Sequence, residues 1–355
     1  MATEHSAEPK RSLYAYSKRA LERLLRDWNE KPVHADAIIK QIYEKRPKDP
    51  QTIEGIPRSL LKKLAERTHL SLPRVIRVQT SSDGTQKFLI ALEDGMCIEA
   101  VRLRYAHGDT LCLSTQKGCR MGCRFCASSS LPFEGHCSVS DIVGQVVAVE
   151  EYEGIRFSNL VFMGIGEPLD NPEAVKESLA IFSDARAFPF GSKHVTVSTC
   201  GIADGIERMA DERWPCQLAV SLHHANDEAR SADMPVNRRY PLERLLAACR
   251  TYTERTHKVI LFEYAVNPGL NDREEDADAL ENCLKGIPCR VNLIALNPLD
   301  GKSNGEAKER LLIFRDRLRE RGFRVTLRPA LGQDIDGACG QLRGKFLADI
   351  ERSQI

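Results

Sequence analysis

Three cysteines lie on one short, glycine-containing stretch of this 355-residue chain. Cys119, Cys123 and Cys126 form the pattern CxxxCxxC within residues 118–126. Structural zinc usually takes four ligands from two cysteine knuckles, and no second knuckle follows here. Cysteine thiolates also hold iron–sulfur clusters. Three thiolates would hold three irons of a 4Fe–4S cluster and leave the fourth iron open to bind a substrate and pass it an electron.

Polar and glycine residues end several apolar, strand-like runs later in the chain. The candidates at the ends of the second, third, fourth and sixth runs are Gly166, Glu167, Ser198, Ser221, Leu222, His223 and Asn297. The C-terminal ends of strands form the active-site face of a (β/α) barrel. Glycine lets a ligand approach the backbone, and polar side chains can satisfy an amino group, ribose hydroxyls and a carboxylate. These positions form a candidate cofactor site.

Two further cysteines have surroundings worth separating from the rest. Cys339 lies in the loop 332–342 among glycines and aspartates, which suits exposed sulfur chemistry better than packing. Cys112 lies in the first strand-like run, and a lone cysteine there is more often a small core residue. The remaining cysteines are interpreted as structural: Cys97, Cys137, Cys200, Cys216, Cys249, Cys283 and Cys289.

Strand-like runs alternate with helical segments over about 230 residues. The runs begin at residues 110, 159, 194, 217, 259 and 290, with a possible seventh at 324, and a helix capped by Ser140 is predicted over 140–154. This alternation predicts right-handed βαβ units. A Rossmann fold is less favoured because no GxGxxG opens a helix after the first strand. The predicted fold class is α/β, a partial (β/α)6-type, TIM-like barrel.

The predicted domain organisation has four parts. Residues 1–73 have the apolar spacing of helices, with Ser17 as a cap, and form a helical accessory domain. Residues 74–105 form a small β element around an Asp-Gly turn. Residues 106–345 form the catalytic partial barrel, and residues 346–355 a C-terminal tail.

Charge is distributed unevenly along the chain. The 51 Lys and Arg against 50 Asp and Glu leave a net charge of +1, but residues 1–80 carry +7 and the remainder −6. Such a bias is typical of a nucleic-acid-binding face or of a solvated helical surface. No apolar run reaches the roughly 18 residues of a membrane span, and the first thirty residues lack a signal-peptide pattern. We therefore expect a cytoplasmic protein without membrane contacts.

Six motifs together carry a family resemblance. GCRMGCRFC, FMGIGEP, VSTCG, SLHHANDEAR, NLIALNP and DIDGACGQL occur in this order. Together they resemble the radical S-adenosylmethionine (SAM) RNA adenine methyltransferases of the RlmN/Cfr family. The resemblance extends over nearly the whole chain, and the last motif is specific to this family.

The resemblance implies a role for each candidate residue. Cys119, Cys123 and Cys126 would bind a 4Fe–4S cluster, and the strand-end residues from Gly166 to Asn297 named above would bind SAM. One SAM would methylate Cys339, and a second would yield a 5′-deoxyadenosyl radical that takes a hydrogen from that methyl group. The methylene radical would then add to an adenine carbon that is too unreactive for ordinary methyl transfer. Cys112 would resolve the protein–RNA adduct as a disulfide with Cys339, and Glu99 would accept a proton.

The resemblance also implies the partners. The substrate would be large-subunit rRNA, tRNA or both, with carbon 2 of adenine favoured and carbon 8 as the alternative. An electron donor such as flavodoxin or ferredoxin would supply the reductant, and the enzyme would act as a monomer. The basic N-terminal part would bind RNA.

One segment departs from the family pattern. Members commonly continue CxTxxxGFxRNL after the last cluster cysteine, whereas residues 127–137 here read ASSSLPFEGHC and lack the Arg-Asn pair. This departure leaves one alternative open, and the bare CxxxCxxC together with the basic N-terminal part leaves a second. The first is a radical SAM enzyme that acts on a peptide or small metabolite. The second is a non-catalytic iron or zinc RNA-binding module.

Overall fold

Three helices form the N-terminal part of the chain in a computed structural model, which describes residues 10–106, 108–295, 305–328, 331–332, 334–335 and 340–353. They are α1 (Lys18–Asp27), α2 (His34–Glu44) and α3 (Arg58–Arg67). Strands β1 (Arg11–Ser12) and β2 (Thr68–His69) pair in parallel beside them. Helix α1 begins after the predicted cap, because the Ser17 hydroxyl accepts the Ala20 N–H.

In the described part of the chain, ten strands form one sheet whose neighbours follow chain order. They are β3 (Arg74–Thr80), β4 (Gln86–Ala91), β5 (Cys97–Tyr105), β6 (Gly108–Cys112), β7 (Asn159–Phe162), β8 (Val195–Thr199), β9 (Gln217–Ser221), β10 (Ile260–Val266), β11 (Cys289–Ala295) and β12 (Val325–Arg328). Strands β3 to β6 are antiparallel, and β6 to β12 are parallel. The element at residues 74–105 therefore extends the sheet of the barrel.

Helices follow most of the parallel strands. They are α4 (Val139–Glu153), α5 (Pro172–Phe182), α6 (Ala203–Asp211), α7 (Asp227–Asp233), α8 (Leu242–Thr256), α9 (Glu274–Leu284), α10 (Gly305–Glu320) and α11 (Gln341–Ser353). The predicted cap of α4 is wrong. Ser138, rather than Ser140, accepts the Asp141 N–H, and the Asp141 carboxylate in turn accepts the Ser138 N–H.

The parallel strands form a curved sheet with two different faces. Leu111, Leu160, Val197 and Leu218 are buried on one face, where they belong to the hydrophobic core. The sheet curves far enough that the Arg328 guanidinium of β12 contacts the Met163 sulfur just after β7, at 3.7 Å. The predicted α/β partial barrel is confirmed, and the possible seventh run is β12. No described helix is both long and apolar enough to cross a membrane.

Candidate functional site

The cysteine loop follows strand β6 and depends on two glycines with positive φ. Gly118 has φ +97°, and a Cβ atom there would lie 2.0 Å from the Pro132 carbonyl oxygen. Gly122, between the first two cysteines, has φ +73°. Residues with a side chain rarely adopt these angles, so glycine lets the chain turn tightly between cysteines.

The donor set of this loop fits an iron–sulfur cluster. Cys123 is buried, and Cys119 and Cys126 are half-buried. Burial raises the pKa of the Cys119 thiol to about 11 and that of Cys123 to about 12, and the nearby Cys126 thiol adds to both shifts. Thiolates here therefore need a cation to offset their desolvation, which iron would supply.

The number of ligands on the loop bears on which metal group it could hold. Among the described residues, no three His, Cys, Asp or Glu side chains are placed to share one metal ion. A 4Fe–4S cluster attaches each thiolate to a different iron, so its ligands need not share an ion. The three cysteines of the loop are one ligand fewer than structural zinc takes, and in a 4Fe–4S cluster they would leave one iron open.

An aromatic contact brings the cysteine loop to the end of strand β9. The Phe125 ring packs edge-on against the His223 ring, with centroids 4.8 Å apart. His223 Nδ1 accepts the Ala265 N–H at 2.9 Å, so Nε2 carries the proton of the neutral ring. Burial, helped by nearby Arg230, lowers the pKa of His223 to about 3. The imidazole is therefore neutral at physiological pH.

Glu167 joins the ends of strands β7 and β8. Its buried carboxylate accepts the Leu169 N–H at 2.9 Å and the Cys200 N–H at 2.8 Å. Burial raises the pKa of this carboxyl. Gly166 has φ +106°, and a Cβ there would lie 2.6 Å from the Gln116 Cβ. The chain can therefore make this turn only with glycine. The Glu167 carboxylate accepts two N–H groups and keeps further lone pairs that another donor can use.

The strand register places the candidate residues on one face of the sheet. Partners in register share a face, and so do residues two apart on a strand. Cys112 pairs with Val161, and Val161 pairs with Thr196, two residues before Ser198. Ser198 in turn pairs with Ala219, two residues before Ser221. Cys112 and both serines therefore face the inside of the barrel, opposite the apolar face. Asn297 lies outside the described residues.

Glu263 on β10 is an inward-facing residue that sequence reasoning missed. It pairs with Ser221 in the register, and both oxygens of its buried carboxylate accept the Asn292 amide, at 3.1 and 2.9 Å. Burial raises the pKa of this carboxyl. The one available signal was a glutamate inside an otherwise apolar strand-like run.

Arg230 is a second residue that sequence reasoning did not single out, although it ends the motif SLHHANDEAR. The side chain is completely buried. Its guanidinium donates to the carbonyl oxygens of Cys200, Ser221 and Leu222 and to the Asn237 side chain, at 2.6–3.1 Å. Arg230 therefore holds together the ends of two strands that carry candidate cofactor-binding residues.

Replacing Arg230 by methionine is expected to lower the free energy of unfolding by about 3–5 kcal/mol, because several buried carbonyl groups lose their donor. Arg230→Lys should lower the free energy of unfolding by less, since lysine keeps the charge, although it lacks the planar guanidinium group. Anaerobic denaturant unfolding measures both. Arg255→Met, at an exposed arginine, serves as the control and should change stability by less than about 0.5 kcal/mol. An equally small change in Arg230→Met would contradict this role.

Glu99 holds the chain immediately after Cys339. Its buried carboxylate accepts the Gly340 N–H at 2.7 Å and the Arg343 N–H at 2.6 Å, and the Lys87 ammonium lies 3.0 Å away. Glu99 and Cys112 lie on the same face of neighbouring strands, because Cys112 pairs with Val101, two residues after Glu99. Cys339 itself lies outside the described residues.

The segment that departs from the family pattern, residues 127–137, packs between the cysteine loop and helix α11. The Glu134 carboxylate forms an ion pair with the buried Arg343 side chain. A Cβ atom at Gly340 would lie 3.0 Å from the Ser128 Cα. The departure therefore lies where the cysteine loop meets the segment that follows Cys339.

Comparisons with known proteins agree on one family. The radical SAM superfamily model matches residues 113–280. The probable dual-specificity RNA methyltransferase RlmN of Clostridium beijerinckii is 39% identical over 97% of this chain and 98% of its own. The protein of the same name from Geobacillus thermodenitrificans is 40% identical over 95% of this chain and 94% of its own.

A solved structure extends the likeness to the fold. The crystal structure of a radical SAM methyltransferase from Sphaerobacter thermophilus matches with a TM-score of 0.83 and 36% identity, over 94% of this chain and 99% of that one. Both the sequence and the fold therefore match over nearly the full length. The chain belongs to the RlmN family of radical SAM RNA methyltransferases, which use a 4Fe–4S cluster and SAM.

Proposed function

We propose that this enzyme methylates a ring carbon of adenine in RNA through a methyl group carried on Cys339. Carbon 2 is the favoured position and carbon 8 the alternative. The observation that carries the proposal is the placement of Glu99. Its carboxylate holds the residue after Cys339 on the sheet face that also presents Cys112. Two thiols and a carboxylate would thus serve one reaction.

The site residues divide into three groups in this proposal. Cys119, Cys123 and Cys126 would bind the cluster, which would supply the electron for the cleavage of SAM. The SAM-binding residues are Gly166, Glu167, Ser198, Ser221, Leu222, His223 and Asn297. The neutral His223 and the inward-facing serines would offer hydrogen bonds without adding charge to the site.

The thiols and Glu99 carry the covalent part of the reaction. Addition of the Cys339 methylene radical would leave an adduct radical on the adenine, which would give one electron back to the cluster and lose its ring C–H proton. The Cys112 thiolate then attacks the sulfur of the resulting Cys339 thioether. The new disulfide forms as the bond between that sulfur and the methylene carbon breaks, and the carbon keeps the electron pair and takes up a proton to become the methyl group. Glu99 accepts the proton that leaves the adenine carbon.

The substrate would be large-subunit rRNA, tRNA or both. Residues 1–80 carry a net charge of +7, which favours phosphate contacts. Extruding an adenine from structured RNA costs a few kcal/mol, which such contacts would offset. In the cell, a flavodoxin or ferredoxin would reduce the enzyme, which would act as a cytoplasmic monomer.

Nucleoside mass spectrometry tests this proposal directly. The reconstituted, reduced enzyme is incubated with SAM and unmodified rRNA or tRNA, and the RNA is digested to nucleosides. We expect 2-methyladenosine in at least one RNA, while 8-methyladenosine would shift the assigned carbon. Release of 5′-deoxyadenosine with no methyladenosine in either RNA would contradict the proposal. It would favour the peptide or metabolite alternative that the altered segment 127–137 suggests.

A further inference from the structure

A buried lysine beside the Cys339 segment has no assigned role in the reaction. The Lys87 side chain on β4 is completely buried, and its ammonium lies 3.0 Å from the Glu99 carboxylate on β5. Both side chains lie on the inner face of the sheet, because Lys87 pairs with Val101. A lysine is almost never buried so completely unless it is paired.

We propose that Lys87 is a positioning residue, which holds Glu99 so that Glu99 anchors the chain directly after Cys339. This inference rests on the proposed role of Cys339 as the methyl carrier. The Glu99 carboxylate accepts the backbone N–H groups of Gly340 and Arg343. These are donors at the start of helix α11, which has no earlier turn to satisfy them. Lys87 therefore orients the carboxylate that caps this helix.

The other flank of Cys339 is held by the same part of the sheet. The Asp334 carboxylate accepts the Ser81 hydroxyl and the Ser82 N–H, the latter at 2.8 Å. The Asp83 carboxylate accepts the Gly332 N–H at 2.8 Å. The turn between β3 and β4 thus binds the chain before Cys339, and β4 and β5 bind it after Cys339. The β element at residues 74–105 holds both ends of the segment.

Anchoring at both ends matters because the proposed reaction uses Cys339 several times. The same sulfur must accept a methyl group, present it for hydrogen removal and meet Cys112. A misplacement of about 1 Å can cost on the order of a hundredfold in rate. The Arg343 ion pair with Glu134 ties the start of α11 to the segment after the cluster cysteines as well. Loss of Lys87 should therefore loosen this segment without removing the cluster.

Hydrogen–deuterium exchange of the reconstituted enzyme tests this inference. In Lys87→Met, we expect exchange in residues 340–347 to speed up by roughly tenfold or more, because the anchoring bonds weaken. Iron content and SAM affinity should keep their wild-type values, while the fraction of Cys339 that carries a methyl group falls. Lys87→Arg should restore slow exchange. Lys45→Met is the matched control, since Lys45 also pairs with a glutamate, at 2.6 Å, but on the surface.

Two outcomes would overturn the inference. The first is unchanged exchange at residues 340–347 in Lys87→Met. The second is an equal rise in exchange in strands β6 to β10, because Lys87 would then stabilise the fold as a whole. If Lys87→Met does not fold, Lys87→Gln replaces it: exchange at residues 340–347 should again become faster, and unchanged exchange there would contradict the inference. If Cys339 of the wild-type enzyme carries no methyl group, the proposed function is contradicted. The comparison of exchange rates between Lys87→Met and wild type remains valid in that case.

Discussion

In the Cys112→Ala enzyme, RNA is expected to stay covalently attached to the protein, and free methylated RNA should fall by on the order of a thousandfold. Cys112 lies buried at the end of β6, on the inner face of the sheet and one strand from Glu99. In the proposed reaction its thiolate is the group that attacks the Cys339 sulfur. Without that attack, the bond between Cys339 and the RNA has no route to break.

Denaturing electrophoresis followed by mass spectrometry of the digested adduct measures this effect. The adduct should join a Cys339 peptide to one adenosine through a single carbon. Cys216→Ala is the matched control, because Cys216 is equally buried but lies before β9, away from the candidate site. It should release methylated RNA at the wild-type yield. Wild-type yield from Cys112→Ala would remove Cys112 from the reaction.

Replacing Cys123 by alanine is expected to abolish cluster binding and to reduce 5′-deoxyadenosine release by at least about a thousandfold. Only three thiolates are available on the loop, so the loss of one leaves two irons without a protein ligand. Cys123 is also the most buried of the three. The other two thiols of the loop stand at different backbone positions, so neither can take the place of the Cys123 thiol.

Iron and sulfide analysis after anaerobic reconstitution measures this loss. Cys249→Ala is the control, because that thiol is fully buried in helix α8 and should leave the iron content unchanged. Near-stoichiometric iron in Cys123→Ala would show that another group binds the cluster. Cys119→Ala and Cys126→Ala should behave like Cys123→Ala.

Local residue patterns predicted the elements of the fold well. The apolar runs from residue 110 onward became seven parallel strands, because alternating βαβ units have few ways to bury their faces. Ser17 caps α1 as predicted, since capping depends only on residues three positions apart. The misplaced cap of α4 shows the limit of such reasoning. Ser140 lies closer to the apolar run, but Ser138 has Asp141 three residues later, and these two residues form the capping box that starts the helix.

Contacts between distant segments could not be predicted in the same way. The resemblance assigned Glu99 and Cys339 to one reaction, but nothing in the sequence joined Glu99 to the Gly340 N–H, 241 residues away, or Ser81 to Asp334. Nothing in the sequence distinguishes Arg230 from a surface arginine, and its burial is seen only in the folded chain. Its hydrogen bonds run to carbonyl groups, and any residue supplies a carbonyl group.

The sequence by itself determined the chemistry available to this protein: three thiols in a cluster pattern, two further cysteines and the motifs of the RlmN family. Residue type and spacing carry that information, because the thiols of one tight loop stay close in any fold. Only the tertiary structure decided what surrounds these groups. Burial, strand register and the buried pair of Lys87 and Glu99 depend on segments that meet through packing, and packing is a property of the whole chain.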